Sequence, residues 1–167
     1  MLLEPKAEMS ENIHIRTATA ADAPEIAAMV GELLTEIVSA GGIPAFSFNL
    51  ADSILRLTDF FSREKYFAFV ARDRTGAPVG FVTLYESCAL YAEGIFGTIP
   101  EFYVRPDWRS SGIGRRLAAQ AKAFGRSRGW KRLEVTTPPL PQFEKTLAFY
   151  EREGFAVTGG RKLKVAL

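Results

Sequence analysis

One α/β (α+β) domain, a mixed sheet with helices on its faces, is the fold class this sequence predicts, and three observations predict it. The chain has 167 residues with 47% hydrophobic and 24% charged content, enough for one sizeable core and short for two. Segments whose apolar residues alternate with period two are interspersed with segments whose apolar residues recur three and four apart, in the order β, α, α, β, β, β, α, β, α, β, β. No internal repeat, low-complexity tract or linker interrupts that order. Residues 13–167 therefore read as a single domain behind an N-terminal tail over 1–12.

The elements follow in turn. "IHIRTAT" (13–19) alternates as a strand, and the run over 20–38 places Ile26, Met29, Val30, Leu33 and Leu34 on one helix face, with Asp22 and Pro24 as start signals. Gly-Gly and Pro make 39–49 a loop, and "LADSILRLTDFF" (50–61) reads as a second helix. "YFAFVARD" (66–73) and "PVGFVTLYESCALYA" (78–92) are strands on either side of "RTGA", whose Thr-Gly marks a hairpin turn. "TIPEFYV" (98–104) is a fourth strand, 112–128 a helix with Ile113, Leu117, Ala121 and Phe124 as its buried stripe, and "RLEVTT" (132–137) a fifth strand. "PQFEKTLAFYEREG" (141–154) is a helix ended by Gly154, after which "FAVTGG" and "RKLKVAL" fit a last hairpin.

Composition excludes several classes of function. No uncharged apolar run approaches the roughly 18 residues that span a bilayer, and "MLLEPKAEMSEN" carries acids where a secretory signal carries basic residues. The expectation is a cytoplasmic protein with no membrane partner, for which Met9 is an alternative start to Met1. The one cysteine, Cys88, has no internal disulfide partner, and with the one histidine, His14, it offers no zinc-ligand spacing. No metal is expected. Any Ser–His–Asp or Cys–His nucleophile would have to use His14, which the alternating run places on a strand as a polar or edge residue.

Charge is unevenly placed. The net charge is +2, yet 108–133 holds eight basic residues and no acid. A concentrated positive field draws polyanions such as a nucleotide cofactor or nucleic acid, while a basic helix face can equally be simple solvated surface. Within this region "RPDWRSSGIGRRL" falls between the strand ending at Val104 and the helix beginning near Gly112. At such a turn, unpaired N–H groups and the positive end of the helix dipole point at one spot, and small residues let an anion approach the backbone. The spacing is not a P-loop, for no Gly-Lys-Ser/Thr follows, and not a dinucleotide fingerprint, for Leu117 stands where the third glycine belongs.

"Arg109-Ser-Ser-Gly112-Ile-Gly114", five residues after "FYV", resembles the Arg/Gln-x-x-Gly-x-Gly/Ala signature of the GNAT acetyltransferase superfamily, and "LAFYEREGF" (147–155) resembles that superfamily's late helix. The likeness spans about 13–167. It implies a GNAT-like fold: a mixed, mostly antiparallel sheet of about six to seven strands flanked by about four helices, splayed between the fourth and fifth strands. It implies acetyl-CoA as cofactor, with the coenzyme A pyrophosphate held by the N–H groups of Ser110, Ser111, Gly112, Ile113, Gly114 and Arg115 beside Arg109. The main chain of Phe102, Tyr103 and Val104 would pair with the pantetheine arm as an added strand. The implied reaction is N-acetyl transfer to a primary amine by direct attack in a ternary complex. Tyr150, at the family's tyrosine position, would protonate the departing thiolate, and the Val104 N–H would donate to the thioester oxygen.

Glu101 is the best candidate base, for it precedes "FYV" on the strand that would line the cleft, and alternation places it with Tyr103 on one face and Phe102 with Val104 on the other. Glu86 and Glu93 are reserves. The chain departs from the family at Phe143, where an asparagine is usual, and at Thr146, where an alanine is usual. The rigid "TTPPLPQF" suggests a wall of the acceptor pocket, and the Phe- and Tyr-rich segments at 39–49 and 86–98 suggest an acceptor with an apolar or aromatic body. Whether the amine belongs to a small molecule, a peptide or a protein stays open, as does assembly into a homodimer. Two other readings compete: a non-catalytic acetyl-CoA sensor, which would not need Tyr150 or Glu101, and a nucleic-acid-binding module using the basic helix, disfavoured because only Phe124 and Trp130 interleave its charge.

Overall fold

The computed structural model describes residues 12–41 and 46–167. Residues 1–11 of the expected 1–12 tail, with Met9, and the centre of the expected 39–49 loop lie outside the described residues. In chain order the elements are β1 (His14–Thr17), α1 (Ala23–Ser39), α2 (Leu50–Ser62), β2 (Tyr66–Arg72), β3 (Pro78–Ala89), β4 (Gly94–Ile99), β5 (Phe102–Val104), α3 (Ile113–Ser127), β6 (Leu133–Val135) and α4 (Glu144–Arg152). Short 3-10 turns at Ala20–Asp22, Leu90–Ala92 and Pro106–Trp108 join some of them. The strands form one six-stranded sheet in the order β1-β2-β3-β4-β6, with β5 also pairing β3. All pairs are antiparallel except β4 with β6.

The long strand β3 serves two partners, and that division opens the sheet. Its second half pairs with β4, Tyr85 opposite Thr98, and its first half pairs with β5, Val82 opposite Phe102. Three steps along β3 thus match four along the line from β4 to β5, so one extra residue is accommodated at Pro100 and Glu101. This is a β-bulge, as a proline without an N–H inside a strand invites. The expected single strand "TIPEFYV" is therefore two pieces. On the far side β6 pairs only with β4, Gly97 opposite Leu133 to Ile99 opposite Val135. The outer edge of β5 has no strand beside it.

Two cores cover the two faces. Phe69, Val82, Leu84 and Ile99 pack against Ile113, Leu117 and Ala121 of α3, with Trp130 alongside. Ala68, Val70, Phe81 and Tyr103 pack against Ile26 and Met29 of α1 and Leu57 of α2. Alternation explains the split: Phe69 and Ala71 face α3, whereas Ala68 and Val70 face α1 and α2. The expected "RTGA" hairpin is present, with Gly76 at φ +86° and the Asp73 carboxylate accepting from the N–H groups of Thr75 and Ala77. His14 lies on edge strand β1 and is exposed.

The expected last hairpin over 155–167 does not form. Phe155 folds back, its N–H donating to Tyr150 O at 3.0 Å, but no strand follows among the described residues. Val157, Leu163, Val165 and Leu167 are 74–119% exposed. The alternation in "RKLKVAL" is local; without a partner strand or a core face to cover, it does not make a strand. No helix among the described residues is long and apolar enough to cross a membrane. Among the same residues no group of His, Cys, Asp or Glu could hold a metal ion.

Asp22 ties the sheet edge to α1. Only 2% exposed, it accepts from both terminal nitrogens of Arg16 on β1 at 2.8 and 2.6 Å, from Arg72 on β2 at 2.7 Å and from the Thr19 N–H at 2.8 Å. Arg72 also pairs with Glu25. The hydrogen bond from Arg16, together with those from Thr19 and Arg72, outweighs desolvation and holds the Asp22 carboxyl well below its usual range. A depressed carboxyl stabilises the fold above the unfolded value of about 4 and loses that contribution as pH falls below it. Asp22→Asn is therefore expected to destabilise the protein by about 3 kcal/mol at neutral pH, as when a buried charge loses its partner. Chemical denaturation should show the gap from wild type shrinking below about pH 4; a gap independent of pH would contradict this role.

Candidate functional site

The turn after β5 leaves a run of backbone donors free. Ser110 has φ +62° and Gly112, which precedes α3, has φ +88°. The left-handed region suits glycine and strains other residues. The first helical bond is Arg116 N–H to Gly112 O at 3.1 Å. The N–H groups of Ser110, Ser111, Gly112, Ile113, Gly114 and Arg115 make no hydrogen bond among the described residues. The Ser111 hydroxyl donates back to Trp108 O at 2.5 Å, which fixes the turn. Six consecutive donors at the positive end of a fifteen-residue helix make a cradle for an anion of phosphate type.

The arginines around the turn shape it rather than fill it. Arg109 donates through Nε to Val104 O at 2.8 Å, pairs in a bidentate fork with Glu36 of α1 at 2.9 and 2.7 Å, and lies 5.5 Å over the Tyr103 ring. Arg105 pairs likewise with Glu32 and donates to Pro78 O. Both guanidinium groups fasten α1 to the turn. Gly114 admits Phe149 of α4, since a Cβ there would stand 3.3 Å from its ring.

The edge of β5 adjoins this cradle. Arg105 N–H donates to Val79 O and Glu101 O accepts from Thr83 N–H, both at 2.9 Å, so the main-chain groups of 101, 103 and 105 face β3. By alternation those of Phe102 and Val104 face outward, where no strand lies, and Val104 O meets Arg109 there. The outward donors are the N–H groups of Phe102 and Val104. The Tyr103 side chain is buried under α1, and burial, with Glu32 and Glu36 nearby, raises its phenol above the ordinary value.

Tyr150 is 6% exposed, packed edge-on against Phe102, Phe149 and Phe155 at centroid distances of 6.1, 5.3 and 5.3 Å. Its hydroxyl makes no hydrogen bond among the described residues, and burial alone raises its pKa above the ordinary value. It is a protonated donor at neutral pH beside the β5 edge. Glu101, at the bulge, lies on the face shared with Tyr103, as alternation predicts; it accepts from the hydroxyls of Tyr66 at 2.6 Å and Thr83. The reserve carboxylates are elsewhere. Glu86 accepts from Trp130 Nε1 at 2.9 Å and Arg128 at 3.4 Å, on the α3 face, and the Trp130 bond above all lowers its pKa. Glu93 sits exposed at φ +57° after the Leu90–Ala92 turn.

Phe143 takes the N-cap position of α4 without a side-chain cap, its carbonyl accepting from Thr146 and Leu147 at 3.0 and 3.1 Å. Leu140 of the proline-rich loop is 50% exposed. An open cavity of about 410 Å³ lies between α2 and the start of β2, lined by Thr17, Thr19, Thr58, Phe61 and Tyr66 among others, with no residue from the turn or β5. Sequence reasoning missed Tyr66 and Thr83, which lie 35 and 18 residues from Glu101. The one available signal was a threonine inside the apolar run "PVGFVTLY". It also missed Glu32 and Glu36, which read only as the polar face of α1.

A model of the acetyltransferase (GNAT) domain matches residues 64–157, from the start of β2 to beyond α4. Among solved structures, the fold is shared with a GCN5-related N-acetyltransferase from Ralstonia eutropha JMP134, at 21% identity and TM-score 0.74, covering 92% of this chain and 98% of that one. It is shared with integron cassette protein HFX_CASS3 from the mobile metagenome of Cole Harbour Salt Marsh, at 22% identity and TM-score 0.76, covering 95% and 92%. It is also shared with an aminoglycoside acetyltransferase, meta-AAC0020, from an uncultured soil metagenomic sample, at 21% identity and TM-score 0.74, covering 94% and 97%. A search of curated proteins returns no match. With the domain match covering more than half of the chain, and with the split strand and glycine turn that the match encloses, this protein belongs to the GNAT acetyltransferases.

Proposed function

We propose that the protein transfers the acetyl group of acetyl-CoA to a primary amine by direct attack within a ternary complex. The observation that carries this reading is two neighbouring sets of unpaired main-chain donors, the outward N–H groups of Phe102 and Val104 and the six N–H groups of 110–115. Residues present fit the cofactor: an extended amide-bearing arm suits a free strand edge, and a pyrophosphate suits the cradle at the start of α3. The bound cofactor supplies an acyl group already activated as a thioester. The chain's own residues do the rest. The outward N–H of Val104 donates to the oxygen on which charge develops, and that of Phe102 is left for the cofactor's amide-bearing arm. Glu101 takes a proton from the acceptor ammonium so that the neutral amine can attack, and the Tyr150 hydroxyl holds the proton that a leaving thiolate requires. The Phe102, Phe149 and Phe155 rings pack around the Tyr150 ring and fix its position.

A nucleic-acid surface fits less well. Of the basic residues in 108–133, Arg109, Lys122, Arg128 and Arg132 pair with Glu36, Glu153, Glu86 and Glu134. Arg128 and Arg132 also lie over the rings of Phe67 and Phe96. Half of the run is thus committed inside the protein rather than aligned to follow phosphates. A non-catalytic acetyl-CoA sensor would leave the unbonded Tyr150 hydroxyl and the held Glu101 carboxylate without use. As acceptor we favour an amine with an apolar or aromatic body, because Phe60, Tyr66 and Tyr85 border the face on which Glu101 lies.

Calorimetric titration with acetyl-CoA and coenzyme A is expected to show binding to the wild type. In Gly112→Val the affinity should fall at least about tenfold with the thermal transition retained, because a branched side chain at positive φ costs on the order of 1–2 kcal/mol and crowds the cradle. Unchanged affinity in that variant would sink the cofactor assignment. Thiol release is then followed over a panel of primary amines. Tyr150→Phe should keep coenzyme A affinity and lose on the order of 10²-fold in kcat, the scale of a positioned acid; undiminished turnover would remove Tyr150 from the mechanism. Because burial raises the phenol, the wild type should show no alkaline loss of kcat from this group up to about pH 10.

A further inference from the structure

Glu101 is held more specifically than a solvated carboxylate would be. The hydroxyls of Tyr66 on β2 and Thr83 on β3 both donate to the same oxygen, Oε2, the first at 2.6 Å. The Thr83 hydroxyl oxygen in turn accepts the N–H of Glu101 at 3.1 Å, and the Thr83 N–H donates to Glu101 O at 2.9 Å. Thr83, 1% exposed, therefore clamps the bulge residue at its N–H, its carbonyl and its carboxylate. Oε1 makes no hydrogen bond among the described residues.

We propose that Tyr66 and Thr83 are positioning residues that occupy Oε2 of Glu101 and so leave Oε1 as the atom that takes the proton from the acceptor amine. This rests on the reading of Glu101 as the base. Two hydroxyl donors on one carboxylate oxygen fix the rotamer and hold the other oxygen at a set position. Tyr66 stays a donor throughout, since burial first and the Glu101 charge second raise its phenol above the ordinary value. In the step itself an N–H bond of the ammonium breaks, its electron pair stays on nitrogen for attack, and an O–H bond forms at Oε1, from which the proton later passes to water. Among the described residues, Tyr85 of β3 lies opposite Tyr66, and α2 sets the uncharged rings of Phe60 and Phe61 against Tyr66. The α1 carboxylates Glu32 and Glu36 lie near Tyr103 and are paired with Arg105 and Arg109.

The test is thiol release from acetyl-CoA over the amine panel, read separately as kcat and KM, alongside calorimetric titration with coenzyme A. In Tyr66→Phe and in Thr83→Val kcat should fall roughly tenfold, the scale of one lost hydrogen bond to a charge, with coenzyme A affinity and the thermal transition retained. Thr83→Ser, which restores the hydroxyl, should return kcat to the wild-type value. If Thr83→Val does not fold, Tyr66→Phe decides alone. Undiminished kcat in Tyr66→Phe together with a turnover defect in Glu101→Gln overturns the proposal and leaves the base reading standing. Undiminished thiol release in Glu101→Gln, or no thiol release from the wild type with any amine, overturns the base reading and this proposal with it.

Discussion

The extra residue at Pro100 and Glu101 is the constraint on which the rest of the site depends. It moves the pairing of β3 from β4 to β5 out of phase by one, so Ile99 and Phe102, three apart, face the same core, while Glu101 turns to the opposite face. The same discontinuity lets β6 pair with β4 and stop, so that β5 keeps a free edge. A regular strand through this point would place Glu101 and Ile99 on one face and bring β6 alongside β5. The clamp by Thr83 is what makes the irregularity stable, since it satisfies the Glu101 N–H that a regular ladder would have satisfied through β3.

Packing carries this local geometry outward. Gly97 of β4 has no room for a side chain, because a Cβ would collide with the Trp130 ring and Leu133. Trp130 and β6 are thus drawn close to β4 before the sheet opens. On the other face Arg105 and Arg109 bind the carboxylates of α1, so the chain leaving β5 turns at a fixed place and begins α3 with its donors directed outward. The cradle, the free edge and the buried Tyr150 are held by three different elements. Phe102 of the free edge meets Phe149 and Tyr150, both of α4, and the Phe149 ring lies over Gly114 of the cradle.

Much of this was legible in the sequence, for reasons that differ by element. Periodicity marked the three longer helices because each buries one face against a single core, while β2 and β3 were legible as apolar runs on either side of a turn because each buries both faces, one in each core. The turn at 109–114 was legible because Arg109-Ser-Ser-Gly112-Ile-Gly114 resembles a family signature and falls at a strand-to-helix junction, and the 73–77 hairpin because its Thr-Gly step carries its own turn chemistry. Glu101 and Tyr150 could be placed on their elements by alternation and motif. Their surroundings could not. Tyr66, Thr83 and Glu101 meet only through the register of three strands, and Glu32 and Glu36 find their arginines across 73 residues of chain. The alternation in 161–167 misled for the opposite reason: a local pattern specifies a face, and no partner strand in this structure offers one.

The central claim is that two sets of main-chain donors, the outward N–H groups of Phe102 and Val104 and the six of 110–115, together receive the cofactor. Its most direct test is a two-dimensional amide NMR titration with coenzyme A, which reads each N–H separately. The account predicts that the largest displacements fall on Phe102, Val104 and the six amides of 110–115, with the edge strand β1 and its neighbours in the 410 Å³ cavity unaffected. Displacements centred on Thr17, Thr19 and Tyr66, or none at all at saturating coenzyme A, would contradict it.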